Sequence, residues 1–150
     1  MNKIMHLAVV IVLLQFALLV AGPLVIQQAS ADAVTNTTVP KQVKKPTKHD
    51  PGRWETHFNV TNNGTNREPI YDVHMLIRGT NIIKTSRPNG WSSNINGQWV
   101  NWSTTKDSDA IPNGFKNEKF DITTDSPTYS VFWETTNKTH GIIDSGSFNV

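Results

Sequence analysis

Five tryptophans, Trp54, Trp91, Trp99, Trp102 and Trp133, are the side chains of this 150-residue chain best able to do more than fill a core. An exposed indole stacks on a sugar ring or anchors a protein partner, whereas a buried one supplies apolar area. Neighbours on a strand point to opposite faces, so if Val100 and Trp102 face inward, Trp99 and Asn101 face outward. Trp91 follows the turn pair Asn89-Gly90 and reads as a loop residue. Trp91 and Trp99 are therefore the candidate ligand-binding residues. Trp54, Trp102 and Trp133 are expected in the core.

Asparagine offers a second chemistry. Asn36, Asn59, Asn63, Asn101 and Asn137 each open an Asn-x-Ser/Thr triplet with no proline in the middle. Each is a candidate glycosylation site if the chain is exported to a compartment that glycosylates. Histidine chemistry is thinner. Beyond the first 31 residues stand His49, His57, His74 and His140, and a metal site needs several such ligands converging on one ion. His57 and His74 read as outward residues of successive strands, which in a sandwich often belong to different sheets. No metal and no cofactor is expected. Asp107-Ser108-Asp109 lacks the glycine and distal glutamate of a calcium loop.

Catalytic signatures are missing. No serine lies in a Gly-x-Ser-x-Gly turn, and there is no glycine-rich phosphate loop. Asp107, Asp109, Asp121, Asp125 and Asp144 could pair for glycoside hydrolysis, but turn-rich loops carry such residues in any case. The chain has no cysteine, which excludes cysteine-zinc sites, blue-copper sites and thiol catalysis. The expectation is a protein that is not an enzyme.

The elements that must position these residues are strands. Trp54, Thr56, Phe58 and Val60 alternate with Glu55, His57 and Asn59, the period of a strand with one buried face. Tyr71, Val73, Met75 and Ile77 repeat the pattern. Residues 98–103, 119–123, 128–135 and 141–150 complete it, with Phe120, Ile122, Tyr129, Val131 and Trp133 inward. A short strand at 82–84 is also expected. Asn63-Gly64, Asn89-Gly90, Asn96-Gly97 and Asn113-Gly114 supply turns, because these residues tolerate positive φ. Residues 52–150 thus predict an all-β domain, a single antiparallel immunoglobulin-like β-sandwich of six or seven strands.

Residues 1–31 are of another kind. Lys3 precedes an apolar run over residues 4–26, closed by Ala29-Ser30-Ala31 as a signal peptidase would read it. The run is also near the length that spans a bilayer. It is either a cleaved signal peptide or an N-terminal anchor with possible membrane association. Both place the domain outside the cell, secreted or at the surface. Residues 32–51 read as a flexible, disordered linker rich in threonine, proline and lysine, with Lys41, Lys44, Lys45 and Lys48. From Asp50 onward 9 basic residues face 11 acidic ones. The domain therefore lacks the basic face that nucleic acid demands, and no nucleic-acid partner is expected.

Two stretches carry a resemblance. Residues 58–65, Phe-Asn-Val-Thr-Asn-Asn-Gly-Thr, lead into Pro69-Ile70-Tyr71-Asp72-Val73. Ile111-Pro112-Asn113-Gly114 runs towards Phe120-Asp121-Ile122. Together they resemble the cell-adhesion-related (CARDB-type) immunoglobulin-like modules of prokaryotic surface proteins. The resemblance spans roughly residues 54–124. It implies a spacer, stalk or adhesive unit whose partner is an envelope protein or polysaccharide. The pattern is also similar to family 2 carbohydrate-binding modules, which stack sugars on exposed tryptophans. Here Val73 stands where those modules usually show a tryptophan, and their terminal cysteine pair is missing.

Overall fold

The computed structural model of the chain describes residues 34–36, 40–62, 68–114 and 117–150. The strand at its centre, Arg53–Thr61, is built as the alternation requires: Thr56, Phe58 and Val60 are buried, with less buried residues between them. Ten strands are formed among the described residues: β1 (Val34–Asn36), β2 (Lys41–Lys44), β3 (Arg53–Thr61), β4 (Asp72–Arg78), β5 (Ile82–Ser86), β6 (Ser92–Asn96), β7 (Trp99–Ser103), β8 (Asn117–Thr124), β9 (Ser130–Thr136) and β10 (Ile142–Asn149). Sheet I runs β1-β3-β8-β5, with β2 also paired to β3, and sheet II runs β10-β9-β4-β7-β6. All pairings are antiparallel. The result is an immunoglobulin-like sandwich.

The core lies between the sheets. Phe58, Val60, Phe120 and Ile122 enter from sheet I. Val73, Met75, Ile77, Val100, Trp102, Val131 and Trp133 enter from sheet II. Every inward position read from the alternation of β4, β7, β8 and β9 is buried. Trp102 and Trp133 are fully buried, while Trp54, expected beside them, is only part-buried at the end of β3. One end of the sandwich is closed by the bridge between Ile70 and Ile111. The opposite end carries the β6–β7 hairpin, whose Gly97 has φ 61°. These are called the Ile70 end and the Gly97 end below.

Two features depart from the sequence reading. The stretch read as a disordered linker contains β1 and β2, both laid along the free edge of β3. All four residues of β2 are exposed. Composition reported correctly that Lys41–Lys44 buries little, but an open strand edge offers backbone partners whatever the side chains are. The second departure is β6. Its Ser-Ser-Asn-Ile-Asn sequence lacks the alternation that marks a buried face, and it forms as the exposed outer partner of β7.

Candidate functional site

The tryptophans part company in the fold. Trp91 is 2% exposed. It does not stand in an open loop but plugs the crossover by which the chain passes from β5 in sheet I to β6 in sheet II. Its ring meets Phe120 edge-on with centroids 5.2 Å apart, and its Nε1–H donates to the Asp109 carbonyl at 2.9 Å. It cannot stack on a ligand, so the expectation of a Trp91–Trp99 pair is corrected. The connection crosses the mouth of the core, and a large apolar side chain there shuts out water.

Trp99 does face outward, as expected, and its neighbours are Leu76 and Phe132. Leu76 is paired with Trp99 on one side and with Phe132 on the other. The three side chains therefore form one row across β7, β4 and β9 on the outer face of sheet II. The Trp99 and Phe132 rings meet across Leu76 at 6.4 Å and 89°, an edge-to-face contact. Phe132 is 40% exposed although it sits in a central strand. Sequence reasoning missed Phe132 because it stands between two inward residues, Val131 and Trp133, in a run that is apolar throughout. The strand period that puts those two inward puts Phe132 outward beside Trp99.

This row is bordered by polar groups. Arg78 lies two residues beyond Leu76 on the same face, opposite Ser130. Ser147 pairs with Phe132, and Asn149 pairs with Ser130. Arg78, Trp99, Phe132, Ser147 and Asn149 line part of a shallow, open depression of about 600 Å³. On the other side of the aromatic row come Asn94, Asn101, His74 and Glu134, aligned by register. Here His74 Nδ1 and Asn101 Oδ1 are 2.7 Å apart.

The outer face of sheet I is different. Its outward residues on β3 and β8 include Glu55, His57, Asn59, Lys119, Asp121 and Thr123, with no apolar member. His57 Nδ1 lies 2.5 Å from Asp121 Oδ1, and its Nε2 lies 3.8 Å from Glu55. His57 and His74 thus stand on opposite sheets. Among the described residues no group of three or more His, Asp or Glu side chains is arranged to hold a metal ion.

The Ile70 end holds a third polar group. Asp107 accepts hydrogen bonds from Tyr71 and from Lys138 Nζ, each at 2.7 Å. The bond from Lys138, and after it that from Tyr71, holds the Asp107 carboxyl below the usual carboxylate range. The same contacts push the Tyr71 phenol and the Lys138 ammonium up. Lys138 also lies 5.4 Å from the centroid of the Tyr71 ring. The charges satisfy one another and clamp the β9–β10 turn to the β7–β8 loop.

Of the five triplet asparagines, Asn59 and Asn101 lie on the outward faces of β3 and β7, and both are part-buried. Asn137 sits in the β9–β10 turn. Its Oδ1 accepts from Thr139 N, Thr139 Oγ1 and Gly141 N, and its Nδ2 donates to Glu68. Asn36 falls in β1. Asn63 and the apolar run over residues 4–26 lie outside the described residues.

No protein-family model matches the chain, and no curated protein matches it in sequence. Solved structures do resemble it in fold. One is a variant of BcpA, the major pilin subunit of Bacillus cereus: 13% identity over 78% of this chain and 38% of that one, with TM-score 0.51. Another is an uncharacterized Nocardia farcinica protein with an immunoglobulin-like fold: 13% identity over 73% of this chain and 80% of that one, with TM-score 0.49. A third is the cohesin module of a Clostridium perfringens family 33 glycoside hydrolase: 10% identity over 76% of this chain and 96% of that one, with TM-score 0.44.

Proposed function

We propose that the chain is an exported, non-catalytic surface module that adheres to an envelope component through the outer face of sheet II. The observation that carries this reading is the row Trp99–Leu76–Phe132 on the outer face of a five-stranded sheet, with Phe132 exposed, Trp99 and Leu76 part-exposed, and no strand among the described residues laid over it. A sandwich used only as a spacer gains nothing from an aromatic pair on a central solvent face, whereas a docking surface needs one. The export signal over residues 1–31 and the resemblance to CARDB-type modules support a site of action at the cell surface.

The alternative of a carbohydrate-binding module is retained in altered form. Trp99 keeps its place in the platform, and Phe132 replaces Trp91. Asn36, Asn59, Asn63, Asn101 and Asn137 stay as proposed glycosylation sites, read as mass excess on peptides of the exported chain. Asn101 is two residues from Trp99 on the same strand face. A glycan there would compete with any docked partner.

Binding to an envelope preparation and to a polysaccharide panel tests the reading. Trp99→Ala and Phe132→Ala should each weaken binding about tenfold or more, the effect of removing a central aromatic anchor. His57→Ala on the opposite sheet should leave it unchanged. Equal binding by Trp99→Ala and the unaltered chain, with the fold intact by circular dichroism, would refute the proposal.

A further inference from the structure

Within that docking reading, we infer that the platform recognises an acidic saccharide, a uronate-type sugar whose ring lies on Trp99 and whose carboxylate meets Arg78. Arg78 is exposed and makes no ion pair among the described residues. It stands next to Leu76 in the outward series of β4, about 7 Å further along the strand. The guanidinium is a fork that grips a carboxylate through two parallel hydrogen bonds. The acidic groups around it are engaged or distant. Asp125, in the β8–β9 loop at the same end, accepts hydrogen bonds from Thr80 Oγ1, Asn81 N and Asn81 Nδ2. Glu134 shares the face, but it pairs with His74, four residues before Arg78 and about 13 Å along the strand. The aromatic row thus has a free cation on one side and a carboxylate well away on the other.

The polar groups of the depression favour a sugar over a peptide. Ser130, Ser147 and Asn149 present hydroxyls and an amide, groups that both donate and accept as sugar hydroxyls do. Around the depression, Phe132 is the one large hydrophobic among the described residues that is well exposed; Ile142, 65% exposed, pairs with Thr136 at the Ile70 end of the sheet, away from Arg78. A protein partner is instead met by a broad desolvated centre in which serine is depleted. One ring on Trp99, one carboxylate on Arg78 and sugar hydroxyls against Ser130, Ser147 and Asn149 engage the polar groups that line the depression.

The test uses the full chain in mild detergent with three polymers: polygalacturonate, the same polymer fully methyl-esterified, and polyglutamate. Polygalacturonate should bind at least about tenfold more tightly than its ester, and added salt should erase most of that difference. Arg78→Gln should bring the acid down to the level of the ester, with Arg78→Lys between the two. Trp99→Ala should lose both. If the ester binds as well as the acid, or Arg78→Gln changes nothing, the acidic ligand is wrong while the docking face stands. Polyglutamate binding as tightly as polygalacturonate would overturn the saccharide in favour of an acidic peptide. Failure of all three polymers would overturn the inference as well. Binding to the envelope preparation that survives Trp99→Ala would remove the docking reading beneath it.

Discussion

Tyr129 shows how a single side chain ties this fold to solution conditions. It is 5% exposed, and its phenol finds no hydrogen-bond partner among the described residues. Burial pushes its pKa up to about 12 from 10.0. Thr56 lies close enough to soften that shift, but its hydroxyl is also without a bond. A group whose folded pKa is raised keeps its full stabilising effect below the unfolded pKa. The effect fades as pH rises, because the unfolded chain gives up the proton first. The window here is pH 10 to 12, and the slope of about 1.4 kcal/mol per pH unit amounts to roughly 2–3 kcal/mol. Urea unfolding between pH 8 and 12 should show this loss, and Tyr129→Phe should lose less. Parallel curves for the two chains would contradict the assignment. Tyr71, raised by its bond to Asp107, titrates in the same direction and remains in both chains.

At the scale of elements, the sheet interior was legible in the sequence and its margins were not. Alternation located β3, β4, β7, β8 and β9, because each buries one face and the strand period then writes the burial into residue types. β2 and β6 bury almost nothing, so their composition answers to solvent, and only the neighbouring edge dictates that they pair. The same logic explains Trp91. A loop tryptophan is exposed by default, and only the passage from sheet I to sheet II makes it a plug. Trp99 was readable because its strand was. The same rule makes Phe132 outward, between Val131 and Trp133. Gly146 shows a constraint that no pattern announces. A Cβ there would meet Trp133 Cζ2 at 2.7 Å and Cε2 at 2.9 Å, so β10 can lie over the indole only because that residue has no side chain. Gly146→Ala should destabilise the domain by about 1–3 kcal/mol, the usual effect of overpacking a filled core. Ser145→Ala, on the exposed side of the same strand, should be near neutral. An unchanged urea midpoint for Gly146→Ala would show that β10 moves aside freely.

For the molecule as a whole, strand direction decides which end would face the cell if residues 4–26 act as an anchor. β1 pairs Val34 with Val60 and Asn36 with Phe58, and β2 continues past Glu55 to Arg53. The chain therefore enters beside the Ile70 end and runs along β3 towards the Gly97 end. If residues 4–26 remain in the membrane, only residues 27–33 separate them from β1, a reach of at most about 25 Å. The Ile70 end then lies nearest the bilayer. Trp99, which opens β7 directly after the Gly97 turn, belongs to the far end. An anchored module would thus present Trp99, Phe132 and Arg78 away from its own membrane, towards wall polymer or a neighbouring cell. The absence of native cysteine makes this directly measurable, since one introduced thiol is the only label site. Asn113→Cys marks the Ile70 end and Asn96→Cys the Gly97 end, both at exposed positions. With the full chain in vesicles carrying an acceptor lipid, energy transfer should be clearly stronger from Cys at 113 than at 96. Equal transfer would mean that the module lies on its side, and stronger transfer from 96 would turn the docking face towards the membrane.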